Sequence, residues 1–179
     1  MPTDPAGTPP TPSIEERFAR ILREHGSALA RLAGSYAHDP TEREDLLQEI
    51  LLAIWTALPR FRGDCSERTF AFRIGHNRGL TYRARRRVPW SNLDHVTPVA
   101  DPRADPEADA DRAQLRDRLS AAVRLLPPPQ REVIVLSLEG LSNREVADVL
   151  GTTENNVAVR LTRARKTLRV LLEQLGGVP

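Results

Sequence analysis

An acidic, proline-rich segment divides the chain and limits what it can fold into. Residues 89–112 hold four Pro and carry six acidic residues against two Arg. The segments on either side are basic, with 14 Arg against 10 acidic residues in 13–88 and 10 basic against 7 acidic residues in 113–179. Blocks of this size are small but able to fold on their own as helix bundles. We therefore expect two basic domains joined by a flexible acidic linker.

The two ends of the chain are predicted to lie outside these domains. Residues 1–12 contain five Pro, a composition that cannot bury enough apolar surface to offset the entropy of ordering. We expect a disordered tail there and a second short tail at 176–179. The domains themselves are predicted to span 13–88 and 113–175.

Composition favours an all-α fold without catalytic chemistry. Aromatic residues make up only 4% of the chain, fewer than a β-sandwich or barrel usually holds. The single Cys65 excludes a disulfide framework and a Cys-rich zinc site, and the four His follow no metal-binding spacing. The sequence also lacks a Gly-rich phosphate loop, a secretory signal and an apolar run long enough to span a membrane. We expect a cytoplasmic protein that is not an enzyme, has no cofactor or metal and does not insert into membranes.

Hydrophobic periodicity and capping residues predict the helices of the first block. Ser13 and Glu16 form a capping-box pattern ahead of a first helical stretch, and a second stretch covers about 27–38. Thr41 is predicted to cap a helix over about 42–58 that ends at Pro59. A loop with a turn-forming Gly then precedes a helix over about 67–87.

The helix at 42–58 has an unusual polar stripe. Its apolar residues fall in one arc, which consists of Leu46, Leu47, Ile50, Leu51, Ile54, Trp55 and Leu58. Asp45, Gln48 and Glu49 lie with Leu52 on the opposite side. The residues alone leave two interpretations open, a solvated face or a docking surface.

The second block contains a helix-turn-helix pattern. Helices are predicted at about 111–126 and 130–139, followed by a short helix that Ser142 and Glu145 cap and Gly151 ends. Thr153 is predicted to cap the last helix, over about 154–175. In such a motif the second helix offers its far face to a DNA major groove.

The far face of that last helix has side chains suited to reading DNA. From Asn155 to Leu172 the chain has five basic residues and no acid. Arg and Asn side chains recognise guanine and adenine edges with paired hydrogen bonds. The alternative is an ordinary helical hairpin with a solvated basic face.

The end of the first block is also basic, with aromatic residues interleaved. Eight residues between 73 and 87 are Arg, His or Asn, namely Arg73, His76, Asn77, Arg78, Arg83, Arg85, Arg86 and Arg87. Aromatic side chains there can stack on unpaired bases while Arg neutralises the backbone. Alternatively, Phe70, Phe72 and Ile74 belong to the core and the Arg run is a solvated helix end.

Taken together, these motifs resemble the extracytoplasmic-function (ECF) sigma factors of bacterial RNA polymerase, within the sigma-70 family. The resemblance is carried by Asp45–Glu49 with Trp55, by Phe61–Asp64 with Phe70–Asn77, and by the C-terminal block from Leu126 to Arg165. It covers about 13–88 and 113–172 in the order and spacing of that family.

The resemblance implies a role for each group of residues. Asp45, Gln48 and Glu49 would dock on the β′ clamp helices of core RNA polymerase. The promoter −10 element would be opened and held by the loop and the basic helix, through Arg62, Gly63, Asp64, Cys65, Ser66, Arg73, His76, Asn77, Arg83, Arg85 and Arg86. The −35 element would be read by Asn155, Asn156, Arg160, Arg163 and Lys166. The β flap of polymerase and an anti-sigma factor are further expected partners.

Two departures from the family pattern concern the −10 element. The family usually has Trp-Leu where this chain has Phe70-Ala71, and often Arg where it has His76. These changes leave a smaller side chain in the core and one fewer fixed positive charge. The rival interpretation is a two-domain helix-turn-helix regulator that binds duplex DNA without polymerase.

Overall fold

The all-α prediction is confirmed in the part of the chain that the structure describes. A computed structural model describes residues 12–37, 39–86 and 109–176, and within these ranges it contains helices and no strand. The first block forms α1 (Ile14–Gly34), α2 (Pro40–Ala57) and α3 (Glu67–Arg86), with a short 3-10 turn at Leu58–Arg60. The second block forms α4 (Asp109–Leu125), α5 (Pro128–Leu138), α6 (Asn143–Leu150) and α7 (Glu154–Gly176).

Most of the predicted tail at 1–12, most of the linker at 89–112 and residues 177–179 lie outside the described residues. The linker prediction extends too far at its C-terminal side, because α4 already begins at Asp109. The difference of two residues from the predicted helix start is of the size by which helix ends commonly vary.

The first helix is longer than predicted. The two expected stretches form the single helix α1, because the buried positions Ile21, Leu29 and Leu32 continue one apolar face across Gly26. The predicted capping box is confirmed, since Ser13 Oγ accepts from the backbone N–H of Glu16 and the Glu16 carboxylate accepts from the N–H of Ser13. Burial of the continuous face outweighs the roughly 1 kcal/mol that an interior Gly costs.

The predicted cap of α2 is wrong. Asp39, not Thr41, is the N-cap, and its carboxylate accepts from the backbone N–H groups of Thr41 and Glu42 at 2.8 and 3.2 Å. Pro40 then occupies the first helical position, where its missing N–H has no intrahelical partner to lose. The earlier start follows because a carboxylate directly before a Pro can serve two orphan donors at once.

Two glycines let α3 approach α1 closely. A Cβ at Gly79 would lie 2.4 Å from Cδ2 of Tyr36, and one at Gly75 would lie 2.8 Å from Cδ2 of Leu32. They are four residues apart and so lie on one side of α3. Glycine at these positions leaves room for the side chains of Leu32 in α1 and of Tyr36 just after it.

The caps of the helix-turn-helix are as predicted. Ser142 and Glu145 form a capping box at the start of α6, and Gly151 ends the helix in the left-handed conformation with φ +62°. Thr153 Oγ1 accepts from the backbone N–H of Asn156 at the start of α7. α7 packs on α4, α5 and α6 through an apolar stripe whose buried residues are Val157, Leu161 and Ala164.

Both blocks contribute to one continuous core. Within the first block, α1, α2 and α3 pack on one another, and the second block places α6 directly on α3. The buried apolar side chains of the two blocks therefore form a single cluster, in which Phe72 of α3 and Leu136 of α5 are almost fully buried. The two helical units are thus in contact across their predicted boundary.

Candidate functional site

The polar stripe of α2 is a continuous exposed surface. Asp45, Gln48 and Glu49 are all exposed, while Leu46 and Ile50 on the opposite face are fully buried. Leu52 extends the stripe by one turn and is 66% exposed. An apolar side chain flanked by carboxylates and an amide is suited to a protein partner that carries basic groups around an apolar centre.

Trp55 lies at the edge of this stripe and not in the core. Its side chain is 38% exposed, although the helical pattern placed it in the apolar arc. The ring meets Phe18 of α1 edge-on, with the ring centroids 5.1 Å apart and the planes at 77°. An indole at the margin of a helix face is large enough to cover a neighbouring helix and still reach solvent, so a place in the apolar arc does not require full burial.

The loop before α3 presents its polar residues to solvent. Arg62, Gly63, Asp64 and Ser66 are exposed, and the free thiol of Cys65 is half-buried. Gly63 has φ +81°, a conformation that glycine adopts without strain. The turn predicted from the glycine is thereby confirmed.

Ser66 has a local structural partner. Its Oγ accepts from the backbone N–H of Thr69 at 3.0 Å and lies 2.9 Å from the hydroxyl of Thr69. Ser66 therefore behaves as an N-terminal cap of α3. A contact of Ser66 with DNA would have to coexist with this cap or replace it.

Two arginines of α1 hold the start of α3. Arg17 Nε and Arg20 Nη2 lie 2.7 and 2.8 Å from the carboxylate of Glu67. Burial alone would raise the pKa of Glu67, but hydrogen bonds from Arg20 and Arg17 lower it below its ordinary value. The guanidinium of Arg17 also lies over the ring of Phe61, 5.1 Å from its centroid.

This anchor was not predicted from the sequence. Arg17 and Glu67 are separated by 50 residues, so no local pattern connects them. The contacts of Glu67 with the two arginines hold the C-terminal end of the exposed loop. The rings of Phe61 and Phe70, whose centroids lie 4.7 Å apart, bring the two ends of the loop together. The loop is therefore a polar turn on a rigid support.

The exposed basic face of α3 holds part of the predicted −10 set. Arg73, Asn77 and Arg85 are exposed, together with Arg78 and Thr81. These residues lie on one arc of α3 and turn a row of guanidinium groups to solvent. The side chain of Arg86 is outside the described residues. Phe72 and Tyr82 are buried, which favours the core interpretation over base stacking for these two rings.

His76 and Arg83 are buried, with 5% and 6% of their surface exposed. Nδ1 of His76 shares a hydrogen bond of 2.6 Å with the hydroxyl of Tyr36. Burial lowers the pKa of His76 to about 4, which keeps the imidazole neutral at physiological pH. Burial likewise lowers the pKa of Arg83. In this arrangement neither residue is presented to a nucleic acid.

The predicted −35 set is brought together on the outer face of α7. Asn155, Asn156, Arg163 and Lys166 are all exposed on the side away from the buried stripe. Arg160 differs, because it is half-buried and acts electrostatically on Glu132 of α5. Burial raises the pKa of Glu132, and the charges of Arg160 and Arg131 oppose that rise. α7 therefore offers a compact set of Asn, Arg and Lys side chains for base edges and phosphates.

The described residues contain no group of His, Cys, Asp and Glu side chains that could hold a metal ion. The helices described also lack a stretch long and apolar enough to cross a membrane.

Two family models match the chain, one in each block. The model of sigma-70 region 2 matches residues 21–88, and the model of sigma-70 region 4 matches residues 116–168. These matches coincide with the block that carries the polar stripe and the block that carries the helix-turn-helix.

Individual proteins are similar over nearly the whole chain. RNA polymerase sigma factor CnrH of Cupriavidus metallidurans is 34% identical over 89% of this chain and 88% of its own length. ECF RNA polymerase sigma factor SigM of Mycobacterium tuberculosis is 31% identical over 88% of this chain and 78% of its own length.

Solved structures share the fold. The structure of CnrH in complex with the cytosolic domain of CnrY has a TM-score of 0.65 at 32% identity, and covers 88% of both chains. The sigma factor RpoE of Bartonella quintana, in complex with the anti-sigma factor NepR, has a TM-score of 0.67 at 24% identity. It covers 87% of this chain and 96% of the RpoE chain.

Proposed function

Because the chain belongs to the ECF sigma factors of the sigma-70 family, which bind core RNA polymerase and direct transcription initiation, we propose that it opens the −10 element and reads the −35 element of its promoters. The first block, predicted at 13–88, carries polymerase docking and −10 binding. The second block, predicted at 113–175, carries −35 binding. The observation that supports this assignment best is the separation of two exposed surfaces, the α2 stripe and the outer face of α7.

Docking on core polymerase is assigned to Asp45, Gln48 and Glu49. A clamp-helix surface with basic groups would complement the two carboxylates and cover Leu52, which is otherwise an exposed apolar side chain. The β flap is the proposed partner of the second block. Because RNA polymerase joins the nucleotides, the chain itself is proposed to be no enzyme. It is proposed to act in the cytoplasm.

Opening of the −10 element is assigned to the loop 62–66 and the exposed face of α3. Extruding a base costs a few kcal/mol, so the loop must supply contacts that offset the lost stacking. Arg73, Asn77 and Arg85 are placed to neutralise the backbone of a single strand. His76 and Arg83 join this set only in an arrangement that uncovers them.

Reading of the −35 element is assigned to α7. Asn155, Asn156, Arg163 and Lys166 lie where the second helix of a helix-turn-helix meets base edges. Arg160 is closer to the buried side and would reach phosphate or base only along the flank of the helix.

A protein inhibitor is a further proposed partner. CnrH, which is similar to this chain, was solved with the cytosolic domain of CnrY. An anti-sigma factor that covers the α2 stripe would compete directly with core polymerase. Co-purification from native cells tests this, and recovery with core polymerase alone would count against such a partner.

The central test is transcription in vitro with purified bacterial core polymerase, on a pool of random upstream sequences, with sequencing of the transcript starts. Addition of the protein should create starts that share a pair of elements. If the protein neither binds core nor changes the starts, the proposal fails, and duplex DNA binding by the helix-turn-helix alone becomes the interpretation to test.

A matched pair of variants locates the −35 surface in the same assay. Arg163→Ala should lower the use of promoters with the preferred −35 base by an amount that corresponds to roughly 1–3 kcal/mol. Arg165→Ala removes another exposed Arg two positions on, about 200° around the helix, and should leave the base preference unchanged. A loss that is uniform across all sequences would assign Arg163 to a phosphate instead.

A further inference from the structure

Val159 is an exposed apolar residue in the middle of the outer face of α7. Its side chain is 41% exposed, although the proposed −35 side chains around it are amides and cations. At 100° per residue, Val159 lies about 160° around the helix from the buried Val157 and Leu161. It is about 140° from Ala164, the third buried residue of the stripe. The valine therefore faces almost directly away from the rest of the second block.

The proposed −35 side chains surround this valine on all sides. Asn155 and Arg163 lie one helical turn before and one turn after Val159, each about 40° around the helix from it. Lys166 lies about 20° from the same line and Asn156 about 60°. A duplex that contacts both Asn155 and Arg163 must therefore pass over Val159 and remove its side chain from water.

Thr162 extends the apolar character of this position. It is exposed and lies three residues after Val159, so the two side chains are neighbours on the helix surface. The Thr162 hydroxyl donates to the backbone carbonyl of Ala158 at 2.9 Å, so its proton is not available to a base. The centre of the outer face thus offers methyl groups and no hydrogen-bond donor, with Asn and Arg side chains on either side of it.

The chemistry of the major groove limits what such a centre can recognise. Among the groups that the four bases present there, the C5-methyl group of thymine is the apolar one, and the others are hydrogen-bond donors and acceptors. A valine placed over a carbonyl or an amino group would take that group out of water without returning a hydrogen bond. Placed over a thymine methyl group, the same valine buries apolar surface on both sides of the contact.

We infer that Val159 is a specificity-determining residue of the outer face of α7 and that it selects thymine through contact with the C5-methyl group. This inference rests on the proposed reading of the −35 element and adds the base that is read at its centre. The −35 element should then contain a required A·T pair, placed between the bases that Asn155 and Arg163 meet.

The test replaces single thymines by uracil in the −35 element. Deoxyuridine keeps every hydrogen-bonding group of thymine and lacks only the methyl group. The promoter is one selected from the random pool, and each −35 thymine on either strand is exchanged in turn before transcription with core polymerase and the full chain. One exchange should lower promoter use roughly three- to fivefold, the effect of losing one buried methyl group. An element without a required thymine, or equal use of every uracil and thymine form, would overturn the inference.

A pair of valine variants assigns the effect to the protein side chain. Val159→Ala should use the thymine and uracil promoters equally, because the shortened side chain no longer reaches the methyl group. Val170→Ala is the matched control, since Val170 is 45% exposed and lies on the same side of α7, about 16 Å further along the helix. This control should keep the parent's preference for thymine. A uracil effect of equal size in Val159→Ala and the parent would overturn the inference.

The unmodified promoter reports on the proposed function separately. Starts that require both core and the chain, without any uracil effect, would support the sigma-factor function and overturn the thymine contact. Without such starts the proposed function fails, and the uracil comparison moves to duplexes that the full chain selects from the same pool without polymerase. A uracil effect there that Val159→Ala abolishes would support the contact. Equal binding of both forms, or no selected duplex, would overturn it.

Discussion

At the scale of single residues, Gly79 leaves the least room for a side chain among the described glycines of the first block. It leaves room for the ring of Tyr36, whose hydroxyl bonds to the buried His76 one helical turn away. The pair Gly75 and Gly79, four residues apart inside one helix, is the feature of the sequence that corresponds to this close approach, and it was not among the predictions. Two interior glycines on one helix face indicate contact with a neighbouring backbone or ring.

Gly79→Ala should destabilise the protein by about 1–2 kcal/mol. The added methyl group meets the Tyr36 ring at 2.4–2.6 Å, and overpacking of this kind costs more than the gain in helix propensity returns. Gly26→Ala is the matched control, because nothing lies within 4 Å of its Cβ. It should stabilise by about 0.5–1 kcal/mol in urea unfolding. Equal effects of the two substitutions would show that the Tyr36 contact is not tight.

His76 should make the fold sensitive to acid. Its pKa falls from an ordinary 6.5 to about 4 on burial, so between these values the unfolded chain binds a proton that the folded chain does not. The free energy of unfolding should therefore decrease as the pH drops from about 7 to about 4, with His76 contributing about 3 kcal/mol.

A comparison of the parent with His76→Gln over this pH range separates the contribution of His76 to the pH dependence of unfolding from that of acidic groups such as Glu67. The variant should show a shallower dependence of the unfolding free energy on pH in urea titrations. Parallel curves for the two proteins would mean that His76 becomes protonated without loss of the folded state.

At the scale of elements, α2 has a buried structural face and, opposite it, an exposed polar face that is proposed to dock on core polymerase. Leu46, Ile50 and Ile54 are fully buried, so substitutions on the exposed stripe leave the core unaltered. Asp45→Ala with Glu49→Ala should weaken binding to core polymerase by about 1–2 kcal/mol, or roughly five- to thirtyfold. Helical content measured by circular dichroism should remain that of the parent.

A control for this double variant removes the same charge elsewhere. Glu15 and Glu24 are exposed on α1 and do not belong to the stripe, and their joint replacement by Ala should leave the affinity for core unchanged. The docking assignment is abandoned if the stripe variant and this control bind core equally well in titration or pull-down measurements.

At the scale of the whole molecule, the shared core predicts that the two blocks unfold together. Leu136 of α5 is 1% exposed and belongs to the same cluster as the core of the first block. In a Trp90→Phe background the fluorescence of Trp55 reports on the first block alone. Leu136→Ala should lower the free energy of unfolding measured by Trp55 fluorescence by about 2–5 kcal/mol, although the substitution lies in the second block.

Circular dichroism of the same samples provides the comparison. Coincident urea transitions for helical content and Trp55 fluorescence indicate one cooperative unit. A Trp55 transition that Leu136→Ala leaves in place, beside a separate earlier transition in helical content, would show that each block unfolds alone.

Local signals in the sequence predict most of the helices and most of their ends. The capping boxes at Ser13 and Ser142 and the left-handed Gly151 are as predicted, because these signals act between residues at most a few positions apart. The start of α2 was missed for a local reason, the preference of a carboxylate before Pro over a Thr hydroxyl. The outer face of α7 and the α2 stripe follow from helical periodicity alone.

Which of these surfaces are accessible depends on how the helices pack. His76 and Arg83 belong to a basic helix end by sequence, yet they are buried against Tyr36 and the second block. The contacts of Glu67 with Arg17 and of Glu139 with Arg31 join positions 50 and 108 residues apart. Such pairs arise only when the helices pack, because charge and periodicity fix the face on which a residue lies but not the surface that comes to cover it.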